Sequence, residues 1–334
     1  MKQVLIVFTF LIFGFLGHAT TPKKVVATAS IFADMAENIG GGHVEIVSIV
    51  PIGGDPHLYT PRPSDAKLIA EADLVLRNEL TFEGWLKKLI DNANTDAKIV
   101  TITEGVKPIE SLVYKNSTDP HAWMDASNGL VYIRNIKEAL VAIDPDNKEV
   151  YEFNYGVYKR QLEDLDTYIT AEIQKIPVNQ RILITSHDAF QYYGKRYGIR
   201  LESILGISTE AEAQTSDIQR LNKVIRESNV PAVFIESTIN PKMLKQLAAD
   251  NKIEIGGELF ADSIGEKDSE APSYYDMLKY NTDIIVKALS RPVETASPTK
   301  EESPTEGPDN FLIWGVLGAL FLGAFLIVLK KMNG

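Results

Sequence analysis

From Asn147 to Ile176 the chain runs about thirty residues with no proline and a single glycine, Gly156. Tyr151, Tyr155, Tyr158, Leu162, Leu165 and Ile169 recur through it at helical spacing. A globular helix usually runs about 8–20 residues, so a rod of this length in mid-chain is read as a connector packed on whatever lies to either side. Short apolar runs alternate with helical patterns on both sides of it. Before it come strands at Val25–Ser30, Val44–Val50, Leu74–Arg77 and Lys98–Thr103, interleaved with helices at Ile31–Ile39, Asp65–Asp73 (with Ser64 in the N-cap position) and Phe82–Ala93. A helix over Gly129–Ile143 then leads to Asp144-Pro145. After the rod, strands at Ile182–Thr185, Ala232–Ile235 and Ile253–Gly256 alternate with helices at Ala189–Tyr197, Ser216–Ser228 and Pro241–Asp250, and Tyr274–Leu289 is a final helix. This alternation predicts an α/β fold of two lobes with mainly parallel sheets, joined by one long backbone helix. The expected boundaries are residues 20–143 for the first lobe, 144–177 for the connector and 178–290 for the second lobe.

The ends carry a different message. Lys2, the apolar run Val4–Leu16 and Gly17-His18-Ala19 read as a secretory signal over residues 1–19 that takes His18 with it; an uncleaved anchor is the alternative. Residues 291–310 are rich in Pro, Ser, Thr and Glu and read as a disordered linker. The run from Phe311 to Leu329 holds 19 uncharged, mostly apolar residues, long enough for a membrane-crossing helix. Lys330 and Lys331 follow it, which places the short tail in the cytoplasm and the bulk outside, membrane-anchored. A net charge of −11 without a basic patch argues against a nucleic-acid partner. Cysteine is absent, which excludes disulfides, thiol catalysis and cysteine-ligated zinc.

Four residues share one setting, the loop after a predicted strand. His57 lies in Gly53-Gly54-Asp55-Pro56-His57, and His121 in a second Asp-Pro-His, Asp119-Pro120-His121. His187 follows Thr185-Ser186, and Asp262 lies in Phe260-Ala261-Asp262-Ser263. A single loop histidine is ordinarily just solvated; the repeated setting carries the case. Two from each lobe would converge in the crevice between lobes. Three neutral imidazoles and a carboxylate suit Zn²⁺, and Mn²⁺ if the carboxylate is bidentate. Asp55, Asp119 and Asp188 lie where second-layer carboxylates that orient imidazoles are found, or serve as loop caps. Glu236 ends a strand and could face the crevice, Asp125 reads as a helix cap, and His43 reads as a solvated turn residue. Binding is expected to weaken as the imidazoles protonate near pH ~6.

These motifs resemble the metal-binding solute-binding proteins of ABC importers, the TroA/ZnuA-like group (solute-binding protein family 9). The resemblance spans about Lys24 to Ser290. It rests on Gly-Asp-Pro-His57 with Tyr59-Thr60-Pro61, Asp-Pro-His121-Ala-Trp, Ser-His187-Asp-Ala-Phe, Gly206-Ile-Ser-Thr-Glu210, Phe234-Ile-Glu-Ser237 and Asp262-Ser-Ile-Gly265. It implies two lobes on one backbone helix, His57, His121, His187 and Asp262 as ligands, and a cognate permease and ATPase as partners for a monomer. It also implies capture of Zn²⁺ or Mn²⁺ as cargo rather than catalysis. The chain departs from the group in two ways. It has no lipidated N-terminal cysteine, and Glu104–Thr118 lacks the histidine-rich loop of many zinc-dedicated relatives. Manganese-dedicated relatives often have Glu where this chain has His187, so metal identity stays open. The rival readings are a metal-dependent surface adhesin or a metal chaperone on the same scaffold, and a zinc hydrolase. The last lacks H-E-x-x-H, and four protein ligands would leave no open position for water.

Overall fold

The β-branched pair Val25-Val26 sets the first layer. In a computed structural model of the chain, which describes residues 21–110, 118–207, 209, 213–228, 230–291 and 330–331, strand β1 (Lys23–Ala27) lies between β2 (Val44–Ser48) and β3 (Leu74–Arg77). Strand β4 (Lys98–Thr101) pairs outside β3, and every ladder is parallel, in the order β2-β1-β3-β4. Side chains of a strand alternate between faces, and the two faces bury different partners. Val25, Ala27, Leu74 and Leu76 join the main core, while Val26 and Val75 join a smaller cluster with Ile49, Ile69, Leu86 and Leu89. Burial on both faces is what makes these strands near-continuous apolar runs. Helix α1 (Ser30–Gly40) buries Ile31, Phe32, Met35 and Ile39 on the main-core side. Helices α2 (Pro63–Ala70) and α3 (Leu86–Ala93) cover the other face.

Two helix starts differ from the sequence expectation, each for a local reason. Helix α2 begins at Pro63 rather than after Ser64. Proline is favoured at a first helical position, and the Asp65 carboxylate accepts the backbone N–H of Arg62 (2.6 Å), so Ser64 is not the cap. Helix α3 begins at Leu86 rather than Phe82, since Phe82–Trp85 form bends and turns that follow a run, Glu79, Leu80 and Thr81, that is left-handed throughout (φ 61°, 52° and 71°). That conformation costs about 1–2 kcal/mol per non-glycine residue. The Glu83 carboxylate offsets it by accepting the N–H groups of Asn78 (2.7 Å) and Glu79 (2.9 Å) and the Thr28 hydroxyl (2.6 Å).

Burial pushes the Glu83 carboxyl up to about 7, against those three donated hydrogen bonds. The folded protein therefore keeps a proton that the unfolded chain has lost between its ordinary carboxyl range and pH 7. This contribution to stability is complete at acid pH and is lost as pH rises through about 7. It amounts to about 3 kcal/mol. Denaturant unfolding of the metal-free protein from pH 5 to pH 8 is expected to show this decline, and Glu83→Gln to flatten it; an equal slope in both proteins would refute the assignment.

The mid-chain rod is α5 (Lys148–Ile173), preceded by α4 (Ala126–Ile143). Tyr151, Tyr158, Leu162, Leu165 and Ile169 are buried along it as their spacing predicts, while Tyr155 is only half-buried. It packs on α1 and α4, which precede it, and on α6 (Gln191–Tyr197) and α9 (Tyr274–Leu289), which follow. The main core is continuous from Val25 to Leu289. Beyond the rod, β5 (Ile182–Thr185) pairs in parallel with β6 (Arg200–Ser203), a strand the sequence reading did not separate from its surroundings. Strand β7 (Ala232–Glu236) pairs in parallel with β8 (Glu254–Leu259) and lies beside β5. Gly256 permits a close approach here, since a Cβ would stand 2.7 Å from the Phe234 ring and 2.8 Å from Ala288. Helices α7 (Thr215–Ser228) and α8 (Lys242–Asn251) complete the described α/β body. Among the described residues no helix is long and apolar enough to cross a membrane. The expected signal at 1–19, residues 292–310 of the expected linker and the apolar run at 311–329 lie outside the described residues.

Candidate metal centre

Each of the four predicted side chains hangs on its own loop. His57 follows β2 in a turn where Asp55 Oδ1 accepts the backbone N–H groups of His57 (2.8 Å) and Leu58 (3.4 Å), and Trp85 Nε1 donates to the Pro56 carbonyl (3.0 Å). His121 precedes the short 3-10 turn Ala122–Met124. Asn78 Nδ2 donates to the Pro120 carbonyl (2.9 Å) just before it. His187 follows β5, and Asp262 follows β8. Trp123, two residues after His121, donates its indole N–H to the Ala261 carbonyl (2.9 Å) and so ties the Asp262 loop to the His121 loop. Ser263 Oγ accepts the Gly53 N–H (2.8 Å), which ties the same loop to the His57 turn.

The loops bring all four together. His57 Nε2 and His121 Nε2 stand 3.2 Å apart. Asp262 Oδ1 is 3.3 Å from His121 Nε2, and Asp262 Oδ2 is 3.2 Å from His187 Nε2 and 3.9 Å from His57 Nε2. One donor atom from each residue falls in a cluster whose members all lie within 4.8 Å, and all four residues are buried or nearly so. A tetrahedral ion with bonds of about 2.0–2.1 Å spaces its ligand atoms about 3.3 Å apart. Both Asp262 oxygens and His187 Nε2 are buried without a hydrogen-bond partner among the described residues, an expensive arrangement that a cation between them relieves.

Two imidazoles are braced from behind. Asp119 Oδ1 takes the His121 backbone N–H (2.9 Å) and lies 2.7 Å from His121 Nδ1, as its position in Asp-Pro-His suggests. Glu236 Oε1 takes the His187 N–H (2.9 Å), and its Oε2 lies 2.6 Å from His187 Nδ1 in a close charge contact. With Nδ1 facing a carboxylate, each ring turns Nε2 toward the centre. Asp188, the sequence candidate for this work, instead accepts from Gln191 Nε2 (2.5 Å). Asp55 touches no imidazole; its second oxygen accepts from Thr209 (2.7 Å). Asp125 caps α4 through the Ser127 N–H (2.8 Å), and His43 is an exposed turn residue, both as the sequence indicates. Glu236 is buried and stands behind His187 rather than in the cluster. Its only sequence signal was its place at the end of a strand.

Electrostatics divide the histidines. Burial lowers His57 to about 3, outweighing the attraction of Asp262. Burial also works against charge on His121, but Asp119 and Asp262 together raise it to about 9. Glu236 and Asp262 raise His187 against the same burial, and the three imidazoles hold the buried Asp262 carboxyl well below its ordinary range.

Residues 25–288 match the family model described as "Zinc-uptake complex component A periplasmic" (ZnuA). The chain belongs to the ZnuA family. Among its relatives, it is 40% identical over 276 residues to the manganese ABC transporter substrate-binding lipoprotein PsaA of Streptococcus anginosus, covering 80% of this chain and 89% of that protein. It is 38% identical over 306 residues to the metal ABC transporter substrate-binding lipoprotein FimA of Streptococcus parasanguinis, covering 87% and 99%. Among solved structures, the periplasmic zinc-binding protein TroA of Treponema pallidum superposes with a TM-score of 0.77 at 32% identity, over 81% of this chain and 100% of that one. The Mn-bound periplasmic metal-binding protein of Candidatus Liberibacter asiaticus gives 0.74 at 31% identity, over 80% and 99%. The ZnuA-family assignment agrees with the α/β architecture and the long helix expected from the sequence.

Proposed function

We propose that the chain captures a divalent transition-metal ion, Zn²⁺ or Mn²⁺, outside the cytoplasm and delivers it to an ABC permease and its ATPase for import. His57, His121, His187 and Asp262 are the ligands. The observation that carries this is the buried cluster of three imidazole nitrogens and one carboxylate, spaced as a first-row divalent ion spaces its ligands. The names of the relatives supply the context: manganese and metal transporter substrate-binding lipoproteins, and periplasmic zinc- and Mn-binding proteins. Both Asp262 oxygens face the cluster, so the carboxylate can bind through one oxygen in a four-coordinate zinc site or through two in a larger manganese site. The ion is cargo, and no chemical step is assigned to the chain.

The relatives are named lipoproteins, whereas this sequence contains no cysteine. We place the tether instead in the apolar run 311–329, with residues 291–310 as the linker to it, so that a monomeric α/β body stays within reach of its permease. The first lobe (20–143), the connector (144–177) and the second lobe (178–290) are the working units of this reading.

Calorimetric titration of the chelator-stripped protein with Zn²⁺ and Mn²⁺, separately and in competition, is the direct test. One ion per chain is expected, and the ratio of the two affinities names the cargo. No binding of either ion would end this reading, and turnover of an ester or peptide by the Zn²⁺-loaded protein would revive the hydrolase reading in its place.

A further inference from the structure

His121 and His187 each have a buried carboxylate behind Nδ1; His57 does not. Asp55, the nearest carboxylate in sequence, spends Oδ1 on the backbone N–H groups of His57 and Leu58 and Oδ2 on Thr209. Among the described residues no hydrogen bond reaches His57 Nδ1. Apart from the two other imidazoles of the cluster, at 5.3 and 5.9 Å, what stands against the ring is Phe82, 5.4 Å away and at 88°, an edge-to-face pair. Phe82 is held in turn by Trp123 at 4.9 Å and Phe32 at 6.0 Å.

The backbone that delivers Phe82 is the left-handed run Glu79-Leu80-Thr81. Strain of this kind persists only where the surroundings over-determine it, and it clusters at ligand clamps. Here Glu83 clamps the turn from inside. Asn78 joins it to the His121 loop by donating to the Pro120 carbonyl (2.9 Å) while accepting from Tyr132 Oη (2.6 Å). Thr81 Oγ1 donates to the Thr118 carbonyl (3.0 Å). A relaxed start to α3 would move Phe82 off the imidazole.

We propose that Phe82, carried on this strained turn, is the positioning residue for His57. Aromatic packing sets the orientation of the first imidazole as carboxylates set the other two. The proposal rests on the metal-capture reading.

The test is a double-mutant cycle on the full chain, with Zn²⁺ alone as probe and a competing chelator to read affinity. Three protein ligands suffice to hold zinc, so His57→Ala remains measurable. Phe82→Leu is expected to weaken Zn²⁺ binding about tenfold in the parent, the lower end of what loss of a supporting residue costs. In the His57→Ala background the same change is expected to alter affinity less than about threefold, because the ring it positions is gone. A purely structural role would lower affinity equally in both backgrounds. Equal losses, or no loss in the parent, overturn the proposal. Phe82→Met, longer and better able to fill an irregular gap, takes the place of Phe82→Leu if thermal melting shows the latter unfolded. A parent protein that binds no Zn²⁺ overturns the capture reading and this proposal together.

Discussion

Asp262→Asn is expected to abolish metal saturation at concentrations that fill the parent protein. Asp262 is the only carboxylate in the cluster, is buried, and faces all three imidazoles with both oxygens. Asparagine keeps the shape and one carbonyl oxygen but removes the charge that balances a divalent ion. Breaking a buried ionic contact by removing one partner costs about 3–5 kcal/mol. At about 1.4 kcal/mol per tenfold, that is a loss of roughly 10²–10⁴ in affinity. His121→Ala should act in the same range, since it removes a ligand nitrogen, the ring contact of Asp119 and the partner on one side of Asp262. Calorimetry on both variants checks this. A one-to-one isotherm with unchanged affinity in either would show that the ion binds elsewhere.

The second large effect is expected at a residue outside the cluster. Glu236 meets His187 twice, at the backbone N–H and at Nδ1. Glu236→Gln keeps an oxygen for the backbone bond but brings an amide, with no charge, to the ring. Loss of such a supporting carboxylate typically costs about 10–100-fold in metal affinity. Asp188→Asn, one residue from His187 but bonded to Gln191 instead, is expected to change affinity by less than about threefold. The pair of variants separates closeness in space from closeness in sequence: equal losses in the two would refute the role given to Glu236.

What the sequence made legible, and what it did not, follows the range of the interactions. The rod over α5 was readable because helical spacing is local, and the parallel strands because apolar runs between helices have few other uses. Of the four clustered side chains, His57, His187 and Asp262 were readable because each lies in the loop after a strand, and His121, well beyond β4 and just before a 3-10 turn, because it repeats the tripeptide of His57. Asp119 was readable as the brace of His121 because the bond closes over two residues. Glu236 was not, because it reaches His187 from a strand 49 residues further on, and only the side-by-side placement of β5 and β7 joins them. The left-handed turn at Glu79–Thr81 was hidden for a similar reason. Glu79, Leu80 and Thr81 are not residue types that favour positive φ, and the helix pattern begins at Phe82 in the sequence. The conformation is enforced by a carboxylate that folds back from Glu83 and by neighbours on other strands.

The four clustered side chains share no helix or strand. Each sits on a separate connection, beyond the point where the buried apolar faces of its strand have ended. A substitution at any one of them alters the centre without removing a side chain from the main core. The layout therefore allows the donor set to be edited one position at a time, nitrogen for oxygen, while the scaffold is inherited unchanged.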